Sequence, residues 1–193
     1  MIIALVGESA SGKTTLASYV SSKECENANL KKIVEYTTRP KRDLEVDGVD
    51  YYFINDNQFK RMIAVNDFVE FNYYRGWGYG IQINFDDTDD KIVVLTPARV
   101  RKLKTYLKNH PEIKEKVLVV YLCVDRRSRL MKSLERGDDI DEAYRRNLSD
   151  VGQFDSFDKE CDYILFNENY RKTVTSIASD LLKIIRINKV KDR

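Results

Sequence analysis

Cysteine, histidine, long apolar runs and charge of one sign are all scarce in this chain, and each scarcity excludes a class of function. The three cysteines, Cys25, Cys123 and Cys161, are odd in number, far apart and never in a C-x-x-C pair. That argues against a disulfide framework and a zinc site, and suits thiols packed as small hydrophobes in a reducing compartment. The single histidine, His110, stands in Asn-His-Pro at the end of a helical segment and reads as a surface residue, not a base. No stretch approaches the ~20 apolar residues that a membrane span needs. The opening MIIALVGESASGKTTL has no basic leader and turns glycine-rich after five apolar residues, so it does not read as a signal peptide and the expected location is cytoplasmic. Lys plus Arg number 33 against 31 Asp plus Glu, without the cationic excess of a nucleic-acid binder. An anionic ligand must therefore be met by a local cluster of cations. Internal repeats and low-complexity linkers are missing too.

What is present suits one α/β domain spanning 1–193, with 42% hydrophobic residues to build a core. Short apolar, β-branched runs at 2–6, 91–95, 117–124 and 162–166 have the length and composition of strands buried on both faces. Helix-length segments at 13–22, 98–109, 126–135, 141–153 and 170–187 lie between or after them. That alternation predicts a parallel sheet with helices on both faces. Residues 34–85 break the rhythm with aromatic patches at 51–53 and 73–79 and turn signals at 47–48 and 76–80. They read as a small antiparallel insertion with one helix over 56–65. The tail 187–193 is expected to fray.

The run Gly7-Glu8-Ser9-Ala10-Ser11-Gly12-Lys13-Thr14 matches G-x-x-x-x-G-K-[ST] between a buried strand and a helix. The glycines let the backbone curl until successive N–H groups face phosphate oxygens. Lys13 would reach the β- and γ-phosphates, and the Thr14 hydroxyl would take Mg²⁺. The following helix adds its positive end. The ATP-phosphate set is thus Gly7, Ser9, Ala10, Ser11, Gly12, Lys13, Thr14 and Thr15. The loop alone does not choose between ATPase, GTPase and kinase. No guanine-reading N-K-x-D follows, and the strand end at Leu95 carries no acidic residue of the ATPase kind.

The insertion decides. Thr37-Thr38-Arg39-Pro40-Lys41-Arg42, followed by Glu45-Val46-Asp47-Gly48-Val49-Asp50-Tyr51, resembles the guanylate kinase signature. Phe68-Val69-Glu70-Phe71 and Tyr79-Gly80 resemble two further motifs of that family, and the likeness runs from the phosphate loop to about Asn167. It implies a P-loop-type fold with a nucleoside monophosphate-binding insertion (34–85) and a helical lid (137–153). It also implies ATP and Mg²⁺ as cofactors and GMP or dGMP as acceptor, in a monomer or homodimer. A monophosphate is a dianion, and Arg39, Arg42, Tyr51 and Tyr79 match its ligands, by charge-assisted hydrogen bonds in the case of the arginines. Guanine presents two adjacent donors, N1–H and the 2-amino group, and Glu70 matches the carboxylate that accepts both. The donor adenine would lie near Asn167.

The chain departs from the family around the base. Glu35 stands where a serine meets the guanine O6, Ile81 replaces a small hydroxyl residue, and Thr96 falls in a turn that is acidic in the family. An acceptor such as Glu35 would repel O6 and suit a 6-amino group. The alternatives are therefore a different base preference, or a guanylate-kinase-like binding module without turnover. Phosphoryl transfer also needs cations opposite the phosphate loop. Ser133-Leu134-Glu135-Arg136-Gly137 resembles the start of the lid, with Gly137 as hinge. Lys13, Arg39, Arg136 and Arg146 are the expected catalytic set, with Arg145 the alternative to Arg146. Arg129 is expected on the same helix face as Arg136.

Overall fold

The computed structural model describes residues 1–25, 30–43 and 45–191. The central strand β1 (Ile2–Val6) is wholly apolar and fully buried, and its alternating side chains feed two different cores. Ile3 and Leu5 pack against α1 (Lys13–Val20) and the C-terminal α6 (Val174–Lys191) on one face. Ile2, Ala4 and Val6 pack against α3 (Pro97–Asn109) and Phe157 on the other.

The main sheet contains β2 (Leu30–Lys32), β7 (Asp90–Leu95), β8 (Val117–Cys123) and β9 (Tyr163–Phe166) beside β1, in the order β2-β7-β1-β8-β9, all parallel. The order puts the end of β1 at the middle of the sheet, where the phosphate loop leaves it. Strand β2 is absent from the sequence-based reading. It is three residues long with two lysines, and its place comes from pairing at the sheet edge, not from an apolar run.

The insertion forms a second sheet of β3 (Glu35–Thr37), β4 (Tyr51–Phe53), β5 (Glu70–Tyr74) and β6 (Trp77–Ile81), in the order β4-β3-β6-β5, with α2 (Asp56–Ala64) beside it. One expectation fails here. The sheet is mixed, because β4 pairs with β3 in parallel. The loop 38–50 is long enough to carry the chain back to the end where β3 began. The two threonines of the signature staple the sheet: Thr37 Oγ1 donates to Gly78 O at 3.0 Å, and Gly78 N donates to Thr38 Oγ1 at 2.8 Å. Val69, Ile81 and Ile83 join the core on the α3 face, which fixes the insertion against that helix.

Helix α4 (Arg126–Glu135) starts on an Asp125 cap, and α5 (Ile140–Asp150) starts on an Asp139 cap. Between them Gly137 has φ 80°, a left-handed turn that glycine adopts without strain. The segment after β9 holds a 3₁₀ turn, Glu168–Tyr170, so α6 begins later than expected. The fraying expected over 187–193 is not found as far as Lys191, where α6 ends, and 192–193 lie outside the described residues. Among the described residues no helix is long and apolar enough to cross a membrane. Cys25 is buried, Cys123 and Cys161 are half-buried, and all three are free thiols. His110 lies against Tyr106, with Nδ1 2.9 Å from Glu112 Oε1.

Candidate active site

The phosphate loop connects β1 to α1 with a left-handed Gly12 (φ 94°) at the cap and a left-handed Ala10 (φ 63°) within it. No side chain caps α1, so the first N–H groups of that helix are left to a ligand. Gly7 is required for space: a Cβ there would lie 2.6 Å from Leu122 O and 2.7 Å from Ser11 Oγ. Ser11 is buried, and Thr14 and Thr15 are exposed at the start of α1. Lys13 is half-buried and donates to Glu8 O at 2.7 Å and Ser11 Oγ at 3.4 Å. Burial holds its pKa down to about 8, against the opposing pull of Asp150 and Glu8.

Four groups crowd this loop, and of these the sequence reading singled out only Arg129, as a neighbour of Arg136. Asp150, the last residue of α5, accepts from Ser9 N at 2.7 Å. Arg129 is 5% exposed and lies 3.6 Å from that carboxylate. It donates from Nε to Val124 O at 3.0 Å and from Nη1 to Ser9 O at 3.2 Å. Tyr121 on β8 donates to Glu8 Oε1 at 2.9 Å. Tyr170 donates its hydroxyl to Ala10 O from the far side. Arg129 and Arg136, though seven residues apart on one helix, have different surroundings. Arg129 is buried against the loop, whereas Arg136 is the exposed C-terminal cap of α4, where the helix ends at Gly137.

A carboxylate on a phosphate-loop N–H stands in for an anionic ligand. Asp150 is also at the end of α5 that the helix dipole makes unfavourable for an acid. Asp150→Ala is therefore expected to tighten ATP binding about three- to tenfold, by freeing Ser9 N–H and removing a repelling charge. Equilibrium titration with ATP checks this, and unchanged or weaker binding would contradict it.

The low Lys13 pKa gives a second expectation. At pH 8 about half of the free lysine is neutral. Bound phosphates favour the charged form, so ATP binding there takes up about half a proton, and affinity falls as pH rises above 8. Calorimetry in two buffers of different ionisation enthalpy reads the uptake, and identical enthalpies in both would contradict it.

The acceptor-phosphate candidates divide. Arg39 lies 5.4 Å over the Tyr51 ring, and Tyr51 stands edge-on to Tyr79 at 6.1 Å. The Arg39 guanidinium is held by Glu45, with Nη2 2.6 Å from Oε1. Arg42 is exposed, and its backbone N–H, not its guanidinium, bonds to Glu45 Oε2 at 2.9 Å. Burial and the neighbouring Glu35 raise the pKa of Tyr51, so its hydroxyl keeps its proton and can donate.

Glu35 and Glu70 face a residue that the sequence reading passed over, Arg99. It is 7% exposed in the first turn of α3, on the stripe of Val100 and Leu103. Arg99 Nη1 donates to both oxygens of Glu35, at 2.9 and 3.0 Å, and Nε donates to Glu70 Oε2 at 2.5 Å. Burial raises the pKa of Glu35 and Arg99 pulls it back. Burial likewise opposes the charge of Arg99, but the two carboxylates outweigh it. An arginine on an apolar helix stripe was the available sequence signal. Thr96, by contrast, is the exposed N-cap of α3, and Ile81 is buried in the core.

On the lid, Asp138 gathers two arginines. Arg136 Nε donates to it at 2.9 Å, and Arg146 Nη1 lies 3.9 Å away. Arg145 points outward at 56% side-chain exposure against 29% for Arg146, which makes Arg146 the arginine beside Arg136. Arg75, at the tip of the β5–β6 hairpin, meets Glu142 of α5 at 3.1 Å, so insertion and lid touch across the site. Asn167 is buried and occupied by its own loop, accepting from Lys172 N at 2.9 Å.

Known proteins share this architecture and sequence pattern. The Guanylate kinase family model matches residues 1–183. A guanylate kinase of Blochmanniella pennsylvanica is 30% identical over 183 residues, covering 90% of this chain and 82% of that protein. One of Symbiobacterium thermophilum is 28% identical over 188 residues, covering 94% and 84%. A crystal structure of guanylate kinase from Anaplasma phagocytophilum superposes with TM-score 0.63 at 19% identity, covering 96% of this chain and 85% of that one, which supports the fold. The chain belongs to the guanylate kinase family, the P-loop nucleoside monophosphate kinases.

Proposed function

We propose that this kinase transfers the γ-phosphoryl group of ATP, bound with Mg²⁺, to GMP or dGMP, and acts in the cytoplasm. The observation that carries the guanine preference is the Arg99 bridge between Glu35 and Glu70. Glu35 was the residue that set O6 against a negative charge. Paired through both oxygens with Arg99, it no longer presents a free acceptor to the base, and the 6-amino preference loses its ground. Glu70 keeps Oε1 without a hydrogen-bond partner and can still accept from guanine.

In this reading the loop N–H groups and Lys13 hold the β- and γ-phosphates, and exposed Thr14 fits as the protein ligand of Mg²⁺. When bound, the metal neutralises charge on the phosphates. Arg39, Arg42, Tyr51 and Tyr79 orient the acceptor phosphate, and Arg136 and Arg146 stabilise the migrating group. No covalent nucleophile is required, because transfer is in line between two aligned oxygens. The insertion 34–85 and the lid 137–153 close over the site and exclude water, which protects ATP from hydrolysis. Glu45, Asp150 and Asp138 hold cations or N–H groups of these sets, and substrate phosphates replace them as partners.

An ADP-release assay with ATP, Mg²⁺ and a panel of GMP, dGMP, AMP, dAMP, UMP, CMP and TMP tests the reading. Turnover confined to GMP and dGMP supports it. Turnover centred on AMP would overturn the guanine assignment, and none on any acceptor would leave the binding-module reading.

A further inference from the structure

We infer that Arg99 is a specificity-determining residue that reads the 6-oxo group of the acceptor base, together with Glu70; the inference rests on the guanine-nucleotide reading above. Two polar atoms of this one ion pair are closed to water and have no hydrogen-bond partner: Arg99 Nη2 and Glu70 Oε1. The other edges of the guanidinium are committed, Nε to Glu70 Oε2 and Nη1 to Glu35. By the geometry of guanidinium the two N–H bonds of Nη2 lie between those edges, so the pair keeps a donor and an acceptor without hydrogen-bond partners, which a base reaches when the seam between insertion and α3 opens. Lys102 lies 3.4 Å from Oε1, and its hydrogen bond goes to Phe71 O at 2.9 Å.

Leaving a charged donor and acceptor unpaired in a buried place costs free energy that a matching ligand recovers. The match is specific. Guanine presents an acceptor, O6, next to a donor, N1–H. Adenine presents the reverse, a 6-amino donor next to an N1 acceptor, and would set donor against donor and acceptor against acceptor. The location agrees. Glu35 and Glu70 belong to the insertion sheet and Arg99 to α3, so the pair lies at the seam between insertion and core. Tyr51, which feels both Glu35 and Arg99, links this seam to Arg39 and the acceptor-phosphate residues. The Glu35 that stands where the sequence pattern calls for a hydroxyl thus acts as the anchor of a new donor, holding Arg99 in place.

Comparing GMP with 6-thio-GMP as acceptors tests this, because sulfur accepts hydrogen bonds weakly. The wild-type chain is expected to favour GMP by about tenfold in kcat/KM. Arg99→Met combined with Glu35→Gln removes the donor without leaving Glu35 an unpaired charge, and should reduce that preference to about twofold with the KM for ATP unchanged. Glu35→Gln alone keeps Nη2 and should keep most of the preference. Should the double variant fail to melt cooperatively, Arg99→Lys takes its place, since the shorter ammonium lacks the planar fork that spans both carboxylates and the base. A merely structural Arg99 would lower both acceptors equally with the ratio intact, and that result overturns the inference. Absence of GMP turnover in the wild-type chain would instead overturn the guanine reading beneath it.

Discussion

Lys13→Ala is expected to lower kcat about a thousandfold while the protein still melts cooperatively within a few degrees of the wild type. The rate loss follows from what the ammonium does. In the proposed mechanism, charge on the transferred phosphoryl group is met by loop N–H dipoles and the Lys13 ammonium, and removing a preorganised group of this kind costs on the order of 10²–10³ in rate. The fold survives because Lys13 contributes little to it. Its hydrogen bonds go to the carbonyl of Glu8 and the hydroxyl of Ser11, not to a carboxylate, and burial already works against its charge. Losing the bond to Glu8 O costs about 1 kcal/mol, and relief from holding a half-buried cation offsets it. The loop shape depends instead on Gly7 and Gly12 and on the Tyr170 contact with Ala10 O, which the substitution leaves alone. Steady-state ADP release and a thermal melt check both halves. A variant that kept more than about a tenth of the rate would remove Lys13 from the transfer step.

The sequence carried the parts of this protein whose signal is local. Strands β1 and β8 are continuous apolar runs rich in β-branched residues, and a strand suits such short segments buried on both faces. The phosphate loop was equally plain, because its spacing and flanks both follow from one backbone shape. What stayed hidden is settled by partners far away in the chain. Strand β2 exists because β7 offers it an edge. The parallel pairing of β3 with β4 depends on how the loop 38–50 returns, which alternating residues cannot report. Glu35 was read as a free acceptor because its hydrogen-bonding partner, Arg99, is 64 residues on. Asp150 is 141 residues from the loop N–H that it occupies. Charged groups in a site take their meaning from their counter-charges, and those are supplied by topology.

That point gives the last expectation its form. Glu70→Gln is expected to lower kcat/KM for GMP and dGMP by about 10²–10³-fold, with the affinity for ATP nearly unchanged. Glu70 is 3% exposed, and its ion-pair partners Arg99 and Lys102 lie on α3, not on the phosphate loop. The amide replaces a carboxylate oxygen by a donor, and that donor faces either the Arg99 Nε–H or the base donors, so one hydrogen bond to a charged group is lost in each orientation. Arg99 stays paired with Glu35 on its other edge, which limits the loss of stability to a few degrees of melting temperature at most. The comparison of acceptors carries the test. Because AMP never gained from Glu70, its low activity should hardly fall, and the ratio of GMP to AMP turnover should collapse. An equal loss on every acceptor would mean that Glu70 only braces the seam between insertion and core. A loss of ATP affinity alongside would mean that the brace extends to the donor side.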